Sequence, residues 1–386
     1  MRVFLLLLVS YTNTIIFMIS YLSQEISSTS DIYWFESSNK YVIVDKKFSK
    51  ILTYKLTEEN NDKFIKKARL SLNFVDENFE EISNQMNEFI NECTRTTTNQ
   101  ILKTDMIDKD FDLEVSYTFN NRTINVKFDS DTAKNLIHPK FSHLQTDEKY
   151  EVSAELIIFS QNNTFFLFKD KDCIGGWSKD NMHEFQGKFS MELISSFYDK
   201  IENDWMGVFH ASAVAKNSKA IMLTGDSGAG KSSLTTLLTE SGYNFISDDF
   251  TPMLLENSLI YSFPSAISIK ESFFDEANSI FNGFKELKSI YVNDIKGWVK
   301  YLPPKHQNSG SFKCNNVIHV KYDRKASNRL LKIDNSVAIQ QLLPDAWIAS
   351  SKNHAKKFIT WITNTNFYSL NYSDNTKAIN LINKLI

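Results

Sequence analysis

Cysteine is scarce in this sequence. Its 386 residues hold three, Cys93, Cys173 and Cys314, an odd number, far apart and without a C-x-x-C pair. That argues against a disulfide framework and against a cysteine-held zinc site, and it fits a reducing compartment. The seven histidines are scattered as well. An excess of one charge is also missing: 43 Lys and Arg stand against 46 Asp and Glu, a net of −3, with a pI near 6.2. Without a broad basic field, nucleic acid is not an expected partner. Runs such as Lys46–Lys47 and Lys66–Lys67–Ala68–Arg69 are short and read as solvated faces. No internal repeat or low-complexity linker interrupts the chain. What remains is 42 % apolar residues, enough for ordinary buried cores. The length suggests two domains or three.

One long apolar run stands out. Val3–Leu22, VFLLLLVSYTNTIIFMISYL, is long enough to cross a bilayer as a helix at ~1.5 Å per residue. Its central Ser-Tyr-Thr-Asn-Thr cluster works against that reading. No small-residue site for signal-peptide cleavage follows clearly, and a start at Met18 would remove the run altogether. Residues 1–28 are therefore set apart as an apolar segment and candidate membrane anchor.

From there to about residue 200 the pattern reads as an α+β accessory region. Asp31–Leu56 alternates apolar and polar residues, as strands with a tight turn do. Within Asp76–Glu92, the residues Phe79, Ile82, Met86 and Phe89 recur at helical spacing. Glu114–Phe128 reads as a hairpin turning at Asn120–Asn121. AELIIFS and TFFLFKD, within Glu151–Phe168 and its edge, give two further strands around Gln161–Asn163, and Cys173–Trp177 reads as a glycine turn. Phe189–Ile201 is an amphipathic helix. From Val208 strand-like and helix-like runs alternate: Phe209–Val214, Ala220–Thr224, a helix from Lys231, then Tyr243–Ser247. That is an α/β pattern. Helices at Val337–Leu343 and Ala355–Thr363, a strand at Phe367–Asn371 and a helix from Asp374 close the chain, so residues 201–386 form the second region.

The strongest signal is Gly225-Asp-Ser-Gly-Ala-Gly-Lys231-Ser232, which satisfies G-x-x-x-x-G-K-[ST]. An apolar strand runs in and a helix-forming stretch runs out. Glycines let backbone N–H groups turn inward, and those groups with the positive end of the helix hold phosphate oxygens. Gly225, Asp226, Ser227, Gly228, Ala229, Gly230, Lys231, Ser232 and Ser233 are the nucleotide-contacting residues expected of such a loop. Lys231 reaches the β- and γ-phosphates of ATP, and the Ser232 hydroxyl is placed for Mg²⁺. Seventeen residues past Lys231 a short apolar run ends in Asp248–Asp249. One acid suffices for the metal, so the second is either a partner for an incoming hydroxyl or a turn residue. His210, fifteen residues before Gly225, reads on its own as a core histidine in an apolar strand.

Taken together, His210, GDSGAGKSS and Ser247–Asp248–Asp249 resemble the HPr kinase/phosphorylase superfamily, with its P-loop fold of PEP-carboxykinase type. The resemblance covers Val208–Pro264, with a weaker likeness through Tyr368–Tyr372 and the last helix. It implies an α/β kinase domain that uses ATP and Mg²⁺ to phosphorylate a serine of a peptide or protein. It implies Asp248 as the base that takes the hydroxyl proton, Asp249 as the acid linked to the metal, and His210 as an active-site residue. It also implies oligomers. Three features depart from HPr kinases proper: Ala211 replaces a glycine, Ser233 replaces a glutamate, and a second glycine-rich signature has no counterpart. These resemble the looser group of HPr-kinase-related proteins, some of which accompany ribosomal peptide modification, so the likeness does not extend to HPr as acceptor or to the phosphorylase reaction. Lys270 and Lys305, each after a proline-containing turn, are candidates to touch the transferring phosphoryl group or else are surface lysines. Two other readings stand beside the serine kinase: a kinase of a small molecule such as free serine, and a non-catalytic ATP-binding module of a peptide-maturation pathway that grips a leader peptide by strand addition. In each case an ATP-using domain faces the cytosol, whether or not residues 1–28 anchor it.

Overall fold

Paired residues with left-handed backbone set up much of the antiparallel structure. Asn120 and Asn121, at φ 52° and 58°, join Leu113–Phe119 to Arg122–Phe128. Asn162 and Asn163, at 48° and 63°, join Val152–Gln161 to Thr164–Lys169. Asn217 and Ser218, at 51° and 63°, join Ser212–Lys216 to Lys219–Thr224. Two successive positive φ values match the right-handed twist of the flanking strands, and asparagine tolerates them better than most residues.

The computed structural model describes residues 19–58, 60–72, 79–96, 101–106, 111–148, 150–294, 296–305 and 309–386. Among them the architecture is mixed α/β with four sheets. The chain divides into two compact units. One comprises residues 1–99, 333–344 and 348–365, and the other 100–332, 345–347 and 366–386.

In the first unit, Tyr21–Glu25, Ser30–Phe35 and Lys40–Asp45 form an antiparallel sheet. The helices Lys46–Thr57, Asn61–Leu72 and Phe79–Thr94 follow. Tyr33, Phe35, Leu52, Phe64, Phe79 and Met86 share one core. The strands expected over Asp31–Leu56 thus stop at Asp45. Its carboxylate accepts the Phe48 N–H at 2.9 Å and starts a helix. Phe48, Ile51 and Leu52 then fall on one face at helical spacing and join that core. Residues 1–18 of the apolar segment lie outside the described residues. Its end at Tyr21–Leu22 is strand, and no described helix is long and apolar enough to cross a membrane.

The larger unit runs through residue 200 without a break. A five-stranded sheet is built from Leu113–Phe119, Arg122–Phe128, Val152–Gln161, Thr164–Lys169 and Asp172–Ser178, in that order. The helix Asp131–Phe141 makes the crossover between its parallel second and third strands. Phe128, Phe141, Phe189 and Phe197 of this layer share a core with Trp205, Val208, Leu254 and Phe263. Cys173–Trp177, expected as a turn, lies in the last strand. A Cβ on Gly176 would come within 2.4 Å of the Phe166 ring, so these glycines make room for aromatic neighbours inside a sheet.

The ten-stranded sheet carries the rest. At its centre Lys219–Thr224 runs parallel to Ser311–Tyr322, which runs parallel to Asn366–Tyr372. Leu234 and Leu238 of the helix Lys231–Glu240, with Ala378 and Ile382 of Asn375–Ile382, pack with Ile221, Leu223, Ile318 and Leu370 of these strands. The single strand expected over Phe209–Val214 is two, Trp205–Phe209 and Ser212–Lys216, which break at His210–Ala211. Ile267–Lys270, Trp298–Leu302 and Ile290–Tyr291 form a small antiparallel sheet.

Candidate functional site

The strand Lys219–Thr224 is buried beyond its first residue and ends with Thr224 opposite His319 in parallel register. The chain must then turn within six residues into the helix Lys231–Glu240. Gly225, Gly228 and Gly230 take φ values of 142°, 87° and 96°. Space adds to the requirement at two of them. A Cβ on Gly225 would lie 2.6 Å from the Val320 carbonyl oxygen, and one on Gly230 would lie 2.6 Å from the Tyr372 hydroxyl. The loop is tied down by the Tyr322 N–H, which donates to the Ala229 carbonyl at 3.0 Å, and by the Ala229 N–H, which donates to the Asp226 carbonyl at 3.0 Å. It therefore stands at the carboxyl ends of parallel strands, where open α/β sheets take their ligands.

The helix that follows has no acidic residue in its first turn. Its leading N–H groups and dipole thus face the loop with no carboxylate of that turn to satisfy them. Lys231 is 6 % exposed, and its Nζ donates to the carbonyls of Gly225 at 2.5 Å and Asp226 at 3.3 Å. Among the described residues no carboxylate lies within ion-pair distance of it. An ammonium buried against neutral carbonyls suits an anion. Asp226, Ser227 and Gly228 are exposed, while Ala229, Ser232 and Ser233 are half-buried.

The Ser232 hydroxyl leads to the acid pair. Its Oγ donates to Asp248 Oδ1 at 3.0 Å, the Ser212 Oγ donates to the same oxygen at 2.6 Å, and the Ser268 N–H donates to Oδ2 at 3.0 Å. Asp248 is 1 % exposed. Burial, and then the neighbouring Asp249 charge, push its carboxyl up to about 6. Asp249 has left-handed backbone, φ 61°, and its side chain is 14 % exposed with Oδ2 3.5 Å from the Lys296 Nζ. Burial pushes that carboxyl up, but the charges of Lys140, Lys296, His210 and Lys231 outweigh burial and hold it well below the usual carboxylate range.

His210 sits in the break between two strands. Its backbone N–H donates to the Asp345 carbonyl at 2.7 Å, and its Nδ1 lies 3.3 Å from the Asp249 carbonyl. A carbonyl only accepts, so Nδ1 carries the proton. The histidine is thereby set on the backbone of the acid pair and not on its carboxylates.

The two lysines singled out in the sequence part company. Lys270 donates from Nζ to the Ser227 Oγ at 3.0 Å, so it reaches the loop. Lys305 pairs with Glu240 at 2.6 Å, at the far end of a ten-residue helix, about 15 Å along its axis from the loop. A cavity of about 300 Å³ near Phe281, Leu302 and Lys305 lies at that far end too. Sequence reasoning missed Ser212, Lys140 and Lys296. Ser212 was within reach, as a polar residue in a buried strand. Lys296 comes from a connection between strands, and Lys140 from a helix over a hundred residues before Asp248, its carbonyl accepting the Ala266 N–H at 2.8 Å. No local pattern marks either.

Among the described residues no three His, Cys, Asp or Glu side chains converge as a metal cage. Ser232 and the acid pair offer hard oxygen donors, the kind that Mg²⁺ takes alongside phosphates and water.

No family model matches the chain, and no curated protein matches it. Among solved structures, the Hpr(Ser) kinase/phosphatase from Coxiella burnetii is similar to 46 % of this chain over 92 % of its own length, at 13 % identity and a TM-score of 0.22. A likeness of that size assigns neither a fold nor an activity.

Proposed function

We propose that the protein is a kinase that transfers the γ-phosphoryl group of ATP to a hydroxyl, a serine of a peptide or protein, with Mg²⁺ as the metal. The observation that carries this reading is the buried Lys231 ammonium, enclosed by a glycine loop with no carboxylate of the described residues at ion-pair distance, next to Ser232, which is bonded to Asp248 of the acid pair. The loop amides and Lys231 hold the phosphates, and Ser232 with one acid of the pair offers the oxygens for the metal. Mg²⁺, when bound, neutralises charge that builds on the phosphates. The acceptor oxygen forms its bond to the γ-phosphorus as the bond to the β–γ bridging oxygen breaks, and ADP leaves. The acceptor proton goes to one acid of the pair. An aspartate suffices because a loose phosphoryl-transfer transition state asks for position more than for strong deprotonation. His210 fixes the backbone that carries the pair. The reaction draws on cytosolic ATP.

The test uses the purified protein, γ-labelled ATP, Mg²⁺ and an extract of the source cell, with a Lys231→Met variant alongside. The expected result is label on a peptide or protein, lost in the variant. The variant should unfold at the same temperature as the unaltered protein or above it, because a buried charge with no carboxylate at ion-pair distance adds little to stability. Label only in free phosphate would replace the kinase with an ATPase, and label only on small molecules would replace the protein acceptor.

A further inference from the structure

We propose that the acid pair divides its work in the order opposite to the one the family resemblance implies. Asp248 is a positioning residue on the metal side, acting through Ser232, and Asp249 takes the acceptor's proton. This inference rests on the kinase reading.

The argument starts from lone pairs. Asp248 Oδ1 already receives two hydroxyl protons, from Ser212 and Ser232, and Oδ2 receives the Ser268 N–H. A carboxylate oxygen has room for about two donors. Oδ1 is thus filled, and the remaining room on Oδ2 belongs to a group that is 1 % exposed, where an acceptor hydroxyl has little access. A group held in that way serves position and not proton transfer.

The same bonds suit the metal side. A serine hydroxyl has one proton and two lone pairs. Ser232 sends its proton to Asp248, which leaves its oxygen lone pairs for a cation. Glycine-loop phosphotransferases hold the metal with the loop serine or threonine and a nearby aspartate, and an acid bonded to a ligating group helps to orient it.

Asp249 differs on each count. Its left-handed φ of 61° breaks the run of extended backbone, so its side chain parts from that of Asp248. Its side chain keeps 14 % exposure. Lys296 lies 3.5 Å from one of its oxygens, Oδ2. His210 holds its carbonyl, which fixes the turn from which the carboxylate projects. In the reaction the acceptor O–H gives its proton to Asp249 as the new P–O bond forms and the bridging bond breaks.

The deciding experiment is calorimetric binding of ADP with and without Mg²⁺ to the unaltered protein and to Ser232→Ala, Asp248→Asn and Asp249→Asn, with γ-label transfer measured in parallel. Mg²⁺ should tighten ADP binding to the unaltered protein. Asp248→Asn and Ser232→Ala should each weaken that Mg²⁺-assisted binding by about tenfold or more. Asp249→Asn should keep Mg²⁺-assisted binding within about twofold and lose about a hundredfold in transfer. Loss of Mg²⁺-assisted binding in Asp249→Asn, or its retention in Asp248→Asn, would overturn the assignment. So would transfer that survives in Asp249→Asn. Should Asp248→Asn fail to fold, Ser232→Ala and Asp249→Asn still decide. If the unaltered protein binds no ADP with Mg²⁺, the kinase reading falls and the assignment with it, an outcome distinct from any behaviour of Asp249→Asn.

Discussion

The His143 ring lies against the turn that leads to Ile267–Lys270, and its Nε2 donates to the Pro264 carbonyl at 2.9 Å. Burial pushes the imidazole down to about 4, although that carbonyl works the other way. The unfolded chain titrates near 6.5, so between the two values it binds the proton that the folded chain refuses. Stability from this residue is complete above pH 6.5 and is lost as pH falls toward 4. The whole span is worth about 3 kcal/mol on the usual scale of 1.36 kcal/mol per unit. Urea midpoints measured from pH 7 to pH 4.5 should fall, and His143→Gln should flatten part of that fall. The turn concerned also carries Ser265 and runs into Ser268 of the next strand, and both hold Asp248.

Elements announced by their own residues can be read locally. The helix Lys46–Thr57 opens on Asp45, with its carboxylate 2.9 Å from the Phe48 N–H. Asp45→Ala should cost about 1 kcal/mol, the ordinary worth of such a cap, read as a shift of the chemical unfolding midpoint without a change of slope. The glycine loop with its strand and helix, and the asparagine-turned hairpins, are equally local, and the residue pattern describes them closely. Where reading failed, a distant partner decided. The Cys173–Trp177 glycines look like punctuation until Phe166 lies across them. Lys46–Leu52 looks like strand until Ile51 and Leu52 find Phe64 and Met86. The site behaves in the same way. Ser232 and Asp248 come from one stretch, sixteen residues apart, and share a hydrogen bond. Lys140 and Lys296 reach the acids from elements that no spacing rule connects to them.

At the scale of the molecule, Trp205, Val208, Leu254 and Phe263 belong to the same core as Phe128, Phe141 and Phe189. A fragment of residues 201–386 would keep the glycine loop and lose most of that core, of which only Trp205, Val208, Leu254 and Phe263 would remain. Each large side chain so exposed forfeits about 1.5–3 kcal/mol, against a total stability of about 5–15 kcal/mol for an ordinary domain. The fragment should show no cooperative thermal transition by circular dichroism, while residues 101–386 should retain one.

The smaller unit has its own history to complete. It is assembled from residues 1–99 together with 333–344 and 348–365, and Tyr41 meets the edge of the Phe358 ring within it, centroids 5.2 Å apart. A ribosome delivers the second portion roughly 230 residues after the first, about ten to fifty seconds later at ordinary rates of synthesis. Through that interval the early strands wait with apolar faces uncovered, so the nascent chain is most open to chaperones and proteases well before the unit that carries the glycine loop is finished.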